Sequence, residues 1–270
     1  MEAAAATFAR TDGLLARIRA GDRDAFVSLY GPDFDGLFDF VLRSVRDRGS
    51  AAVALSDALH RAWELFREQG AVYDVRGWFF VIARDAVLRR PRRRAGSVHE
   101  REGLVYTALE AERLSDPSLA FDRELIELVW DTATALGRED YSLLDLHVRR
   151  DLSVDELAEQ LRVPRDDVAW DLSRLCDWFD STVRLTLLAT RSRHNCGGLD
   201  VDLSVNGGSI GRIAGRHACD CASCLETSAR FASATEIFAS FAPMTPPPGL
   251  REETAGLFLT EPRRRRRKLR

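Results

Sequence analysis

The stretch SVDELAEQLRVPRDDVAWDLSRLCDWF (residues 153–179) contains two short helical patterns separated by a turn. Ser153 and Glu156 have the spacing of a capping box, in which each side chain accepts a hydrogen bond from the other residue's backbone N–H. Pro164 suits the first turn of the helix that follows. The apolar face of that helix is Val168, Leu172, Leu175, Cys176 and Phe179. Two short helices joined by a tight turn predict a helix-turn-helix, whose second helix can enter a DNA major groove.

Hydrophobic periodicity predicts helices on the N-terminal side as well. The apolar residues of 34–45 recur at helical spacing and form one stripe: Phe34, Leu37, Phe38, Val41, Leu42 and Val45. Further helical patterns cover 14–29, with a break at Gly21-Asp22, and residues 55–66 and 77–88. Since no segment shows convincing alternation with period two, the sequence predicts an all-α fold.

A chain of 270 residues is longer than one compact core usually needs. Periodicity is lost over residues 94–117, which predicts a linker, and a polyproline stretch near the C-terminus predicts a second, stiff linker. We expect a short helix within 250–260, with Leu250, Leu257 and Phe258 as its apolar contacts. The predicted organisation is a flexible N-terminus (1–13), a helical bundle (14–95), a linker (96–117), a helix-turn-helix domain (118–190), a Cys/His module (191–242), and a Pro-rich linker with a basic tail (243–270).

The net charge of -3 conceals a polarised chain. Arg84–Arg94 holds six arginines against one aspartate, and Arg263–Arg270 holds seven cations, so the remainder is strongly acidic. Concentrated basic segments on an acidic body can bind a polyanion locally. The alternatives are a solvated helix end for the first segment and a solubilising tail for the second.

Several classes of protein are disfavoured by what the sequence lacks. No apolar run approaches the ~18–20 residues that cross a bilayer, and Met1–Arg10 has neither a basic start nor an apolar block. We therefore expect a cytoplasmic protein without membrane contact. No phosphate-cradling glycine loop, metalloprotease helix or nucleophile motif is present, so we do not expect an enzyme.

A cluster of cysteines follows the helix-turn-helix region. His217-Ala-Cys-Asp-Cys221-Ala-Ser-Cys224 has an H-x3-C-x2-C spacing, and a further cysteine lies upstream. Zn²⁺ prefers four ligands in a tetrahedron, which predicts a structural or redox-sensing zinc site. The predicted ligands are Cys196, His217, Cys221 and Cys224. Cys219 or His194 could replace one of them, and a group of reduced, unligated cysteines is the alternative.

The order of these elements resembles that of the extracytoplasmic-function sigma factors, group 4 of the sigma-70 family. Gly21-Asp22-Arg23-Asp24-Ala25-Phe26 resembles the opening of their region 2, and Arg61-Ala62-Trp63 resembles the end of its polymerase-binding helix. Gly77-Trp78-Phe79 with Ile82-Ala83-Arg84 resembles the promoter-melting helix. Residues 138–179 resemble region 4. The resemblance covers roughly residues 14 to 190 in the family's order and spacing.

This resemblance implies a dissociable subunit that binds core RNA polymerase and directs it to promoter DNA. Region 2 would read and open the −10 element, and region 4 would read the −35 element. The cysteine spacing is similar to that of the zinc-binding anti-sigma fold, and a separate anti-sigma factor is a further partner that the resemblance allows. The implied polymerase-binding residues are Asp57, Arg61 and Trp63. The implied DNA-binding residues are Arg84, Arg89, Arg90, Arg92, Arg93, Arg94, Arg165, Trp170 and Arg174.

Two features depart from the family pattern and leave a second function open. The family usually has acidic residues, a glutamine and a glutamate where this chain has Ala52-Val53 and Ser56-Asp57. The second helix of the helix-turn-helix carries two arginines and five aspartates over 165–180, and carboxylates that face phosphate are repulsive. The alternative is a sigma-like regulator that acts through protein contacts. For Trp78, Phe79 and Phe80 the alternative to DNA contact is burial in the core.

Overall fold

The computed structural model describes residues 2–68, 74–90, 123–206 and 208–259. Within those ranges the chain is helical and contains no strand, so the predicted all-α class is confirmed. The helices divide into two compact units, the first formed by residues 1–100 with 243–270 and the second by 101–242. Among the described helices, none combines the length and apolarity that a membrane crossing requires.

The first unit begins with five consecutive helices. They are α1 (Glu2–Arg19), α2 (Arg23–Tyr30), α3 (Phe34–Val45), α4 (Arg48–Glu68) and α5 (Val75–Leu88). The predicted break lies between α1 and α2, where Gly21 has a φ of +90° that a side chain would disfavour. Asp22 then begins α2 by accepting a hydrogen bond from the Ala25 backbone N–H.

The core of this unit is built from the α3 stripe and from aromatic residues of neighbouring helices. Phe79 and Phe80 are almost wholly buried, and the Phe79 ring lies 5.2 Å from that of Phe66. Trp78 is half-buried. Of the two alternatives for these residues, burial in the core therefore applies to Phe79 and Phe80, whose rings are not accessible for stacking on DNA bases.

The second unit contains eight described helices. They are α6 (Arg123–Ala135), α7 (Arg138–Val148), α8 (Val154–Leu161), α9 (Arg165–Arg191), α10 (Gly197–Val205), α11 (Ile210–Asp220), α12 (Ala222–Ala229) and α13 (Ala234–Ala239). The predicted capping box is present at the start of α8, and Arg162 ends that helix in the left-handed region. Pro164 precedes the first residue of α9. The turn between α8 and α9 thus has the predicted helix-turn-helix form.

Helix α9 is 27 residues long and continues well beyond the face predicted from the sequence. Its first residue, Arg165, pairs with Asp155 of α8, and near its C-terminal end Leu188 and Ala189 pack with residues of α11 and α12. Midway along, the Asp180 carboxylate accepts hydrogen bonds from Ser233 Oγ and the Thr235 backbone N–H at the start of α13. The helix-turn-helix and the cysteine module therefore share one continuous helix.

A buried carboxylate organises the packing of α7. Asp145 is fully buried and accepts hydrogen bonds from Arg149 Nη1 at 2.9 Å and Arg150 Nε at 3.1 Å. Arg149 Nη2 also donates to the Phe241 carbonyl. Because a buried charge is tolerated only when it is paired and hydrogen-bonded, these contacts fix the end of α7.

The chain returns to the first unit after residue 242, and the last described helix there is α14 (Leu250–Leu259). The Met244 backbone N–H donates to Asp39, a fully buried carboxylate that also pairs with Arg43 at 2.6 Å. Of the apolar contacts expected for the short helix, Phe258 is buried, whereas Leu257 is 54% exposed. The segment that reads as a linker in the sequence is therefore part of the folded first unit.

Candidate metal centre

The cysteine module packs on the C-terminal half of α9. Its core is a small cluster of buried residues from α9 to α12: Leu188, Ala189, Leu199, Ala214, Ala218 and Cys224. Gly215 allows α11 to approach α9 closely, since a Cβ there would lie 3.1 Å from Leu185 Cδ1. A Cβ on Gly198 would likewise lie 3.0 Å from His217 Cε1. Two glycines thus make room for the helices that carry the ligands.

The four predicted ligands converge at one point of this module. The candidate ligand atoms of Cys196, His217, Cys221 and Cys224 all lie within 4.8 Å of one another. Cys196 immediately precedes α10, and its Sγ lies 3.3 Å from His217 Nε2 near the end of α11. The two remaining thiols come from the junction of α11 with α12 and from the first turn of α12.

The donor set and its size suit a tetrahedral metal ion. With Zn–S bonds of about 2.3 Å, neighbouring ligand atoms of a tetrahedral site are about 3.8 Å apart, so the cluster needs little contraction. Three thiols with one imidazole favour zinc over magnesium or calcium, which prefer oxygen ligands. Cys219 and His194 are both exposed and lie outside the cluster.

Asp202 is a functional residue that the sequence analysis missed. Its carboxylate accepts a hydrogen bond from His217 Nδ1–H at 2.7 Å, and this leaves Nε2 directed at the thiols. Carboxylates that hold the far nitrogen of a metal-binding histidine in this way fix its tautomer and strengthen it as a ligand. The only signal available in the sequence is the position of Asp202 on the helix after Cys196, and no spacing motif marks it.

The four groups differ in their readiness to lose a proton. The Leu199 backbone N–H lowers the pKa of Cys196 to about 7, and the Cys224 backbone N–H lowers that of Cys221. Burial raises the pKa of Cys224 to about 12. Burial disfavours the His217 imidazolium, but the Asp202 carboxylate and the sulfurs of Cys196 and Cys221 outweigh it and raise the pKa to about 9. A bound cation would take the place of these protons.

The structure pairs two of the predicted surface residues of the first unit with each other. Arg90 Nη2 lies 2.7 Å from Asp57 Oδ2, so a predicted DNA-binding residue on the α5 side contacts a predicted polymerase-binding residue on α4. Arg61 is exposed and lies 3.4 Å from Glu64. Trp63 is half-buried, with its ring 5.4 Å from that of Phe26. The three predicted polymerase-binding residues, Asp57, Arg61 and Trp63, therefore all lie on α4.

The predicted basic patch is described only in part. Arg84 is half-buried, and Arg89 is exposed and donates to the Asp85 carbonyl. Arg92, Arg93 and Arg94 lie outside the described residues.

On the helix-turn-helix, Arg165 is paired with Asp155 of α8 at 2.6 Å. Trp170 is 66% exposed, and the Arg174 guanidinium lies 5.3 Å from the centre of its ring. These three predicted DNA-contacting residues are therefore all at the surface of α9, but each already engages a neighbouring side chain.

Neither the family models nor the curated proteins contain a match to this chain. The assignment of the site consequently depends on the residues themselves.

We expect the purified chain to bind one zinc ion per molecule and the Cys221→Ser variant to lose at least about a hundredfold in affinity, because a thiolate ligand is removed. The matched control is Cys219→Ser, two residues away and outside the cluster. Competition with a chromophoric chelator measures the affinity. Equal zinc binding by the two variants would contradict this assignment.

We also expect Asp202→Asn to weaken zinc binding by about 10–100-fold, since the histidine loses the carboxylate that orients it. Asp200→Asn is the control on the same helix, because Asp200 pairs with Arg193 and not with a ligand. Co²⁺ substituted for zinc provides a second measurement, and its visible spectrum should change for Asp202→Asn alone. An unchanged affinity and spectrum would exclude a role for this carboxylate.

Proposed function

We propose that this chain is a sigma-like transcription initiation factor that binds core RNA polymerase and directs it to promoter DNA. In this proposal the cysteine module is a regulatory zinc site. The observation that carries the proposal is the helix-turn-helix of α8 and α9, in a unit separate from a helical bundle whose sequence resembles region 2. That order of elements agrees with the sequence resemblance.

The pairing of α4 with α5 supports a joint surface in the first unit. Arg90 and Asp57 hold the C-terminal end of α5 beside the middle of α4. The basic segment that follows α5 would therefore start close to the candidate polymerase contacts.

The docking of α14 supports a regulatory role for the C-terminal region. The Phe258 ring lies 4.6 Å from the His60 ring on α4 and 5.0 Å from Phe26 on α2. His60 lies three residues after Asp57 and three before Trp63, so all three share one face of the helix. Helix α14 consequently covers part of the face proposed to bind polymerase.

Helix α14 is anchored near both of its ends. Arg251 donates to the Gly31 carbonyl and pairs with Asp35 at 2.7 Å, and Arg23 Nη1 donates to the carbonyl of Phe258, the main apolar anchor. A helix of ten residues has little stability of its own, so it depends on these contacts.

A second candidate function is regulation through protein contacts without promoter recognition. The observation that favours it is the charge of α9, whose exposed carboxylates include Asp166 with a side chain that is 99% exposed. Such a surface would repel the phosphates of a −35 element.

We expect the zinc-loaded chain to co-elute with core RNA polymerase and to yield transcripts with defined start sites from a genomic fragment library. Asp57→Ala should reduce the recovered complex several-fold, since it removes a proposed contact and the partner of Arg90. Glu68→Ala, at the exposed end of the same helix, is the control. Polymerase binding without transcripts would favour the second candidate, and the absence of both would reject the first.

We expect Phe258→Ala to raise the amount of polymerase bound by at least about fivefold, because it removes the anchor that holds α14 over α4. Leu257→Ala is the control, since this neighbour is 54% exposed. Hydrogen exchange of the α14 amides reports independently whether the helix has been released. Faster exchange with unchanged polymerase binding would show that α14 does not regulate this surface.

A further inference from the structure

The N-terminal half of α9 presents two tryptophans and an arginine to solvent. Trp170, Arg174 and Trp178 are spaced four residues apart and so lie along one side of the helix. Trp170 is 66% exposed and Trp178 is 42% exposed. Large aromatic side chains that remain in water are characteristic of interaction sites, where tryptophan and arginine contribute most of the binding energy.

Carboxylates border this stripe on both sides. At 3.6 residues per turn, four aspartates fall within the same face: Asp166, Asp167, Asp171 and Asp177. The side chain of Asp166 is 99% exposed and that of Asp171 is 49% exposed. Arg174 is the single cation between them in the sequence. The face is therefore aromatic and acidic, a combination that attracts cations and repels phosphate.

Arg174 shows directly which chemical group this face accommodates. Its guanidinium lies 5.3 Å from the centre of the Trp170 ring, and Nη2 lies 3.6 Å from Asp171 Oδ1. An indole below and a carboxylate beside the guanidinium combine a cation–π interaction with an ion pair. An indole and a carboxylate are also present on Trp178 and Asp177, about two turns beyond Trp170.

We propose that this tryptophan–aspartate face (Trp170, Trp178, Asp166, Asp167, Asp171 and Asp177) binds an arginine-rich segment of a partner protein. Guanidinium groups of the partner stack on the two indoles, one of them in place of Arg174, and the aspartates neutralise their charge. The proposal gives the second candidate function a partner of defined chemistry. It does not depend on whether the first unit binds polymerase, because its test contains no polymerase.

The first measurement titrates the full zinc-loaded chain with a short fluorescent peptide of alternating arginine and serine, and separately with fluorescent duplex DNA. We expect saturable binding of the peptide that weakens as salt is raised, since exposed charges are screened. Absence of peptide binding at low salt would overturn the proposal. So would DNA binding that is lost when Trp170 is replaced.

The second measurement locates the peptide on the face. Trp170→Ala should reduce the affinity by about tenfold, and Asp171→Asn with Asp177→Asn should reduce it by a similar factor. These side chains are largely in solvent, so their replacement leaves the core of the unit intact. The control is Val53→Ala with Asp85→Asn, an exposed apolar and acidic pair on the first unit. Equal affinity for the control and the Trp170 variant would overturn the proposal.

Arg174→Gln distinguishes the proposed partner from DNA. A basic partner should bind this variant about threefold more tightly, because a like charge is removed and the Trp170 ring is vacated. A DNA-binding helix would instead lose affinity when its central arginine is replaced. Weaker peptide binding by Arg174→Gln would therefore refute the proposed surface.

Discussion

The continuity of α9 is the constraint on which the second unit depends. The N-terminal end of this 27-residue helix is the second helix of the helix-turn-helix. Its C-terminal end contributes Leu188 and Ala189 to the core of the cysteine module. A helix transmits the position of one end to the other, because each backbone hydrogen bond fixes the next turn. A metal ion held by the cysteine module would therefore be thermodynamically linked to the packing of α9.

The first unit depends on a different constraint, the fully buried carboxylate of Asp39. Arg43 neutralises its charge, and the Met244 backbone N–H satisfies a further lone pair from more than two hundred residues away in the chain. Loss of either partner would leave the buried charge of Asp39 less well compensated, at a cost in stability. The core of the bundle therefore depends on the C-terminal segment that contains Met244. Helix α14, by contrast, is held by Phe258, by hydrogen bonds from Arg23 and Arg251, and by one partly exposed ion pair between Arg251 and Asp35, which contributes little to stability.

The helices were largely predictable because their signals are local. The α3 helix, the break at Gly21-Asp22 and the capping box of Ser153 each involve residues within a few turns of one another, and all three are confirmed. The burial of α3 extends beyond the predicted stripe to residues such as Phe40, whereas Val45 is only half-buried. The ligand set was predictable in part from the H-x3-C-x2-C spacing, whereas Asp202 was not, since its role follows from the packing of α10 on α11. The hydrogen bond from the Met244 backbone N–H to Asp39 joins residues far apart in the sequence, so no local pattern predicts it.

The charge of α9 bears directly on which partner the helix-turn-helix can bind. The first-turn aspartates of this helix interact favourably with its dipole, so their presence alone would not exclude DNA. Asp171 lies beyond the first turn, and its side chain is engaged with Arg174, the same arginine that a −35 contact would need. Neutralising that arginine leaves two exposed indoles among carboxylates, and burying this surface against phosphate would cost more than burying it against cations. The shape of the helix-turn-helix therefore favours a DNA groove, whereas the chemistry of its exposed face favours a cationic partner.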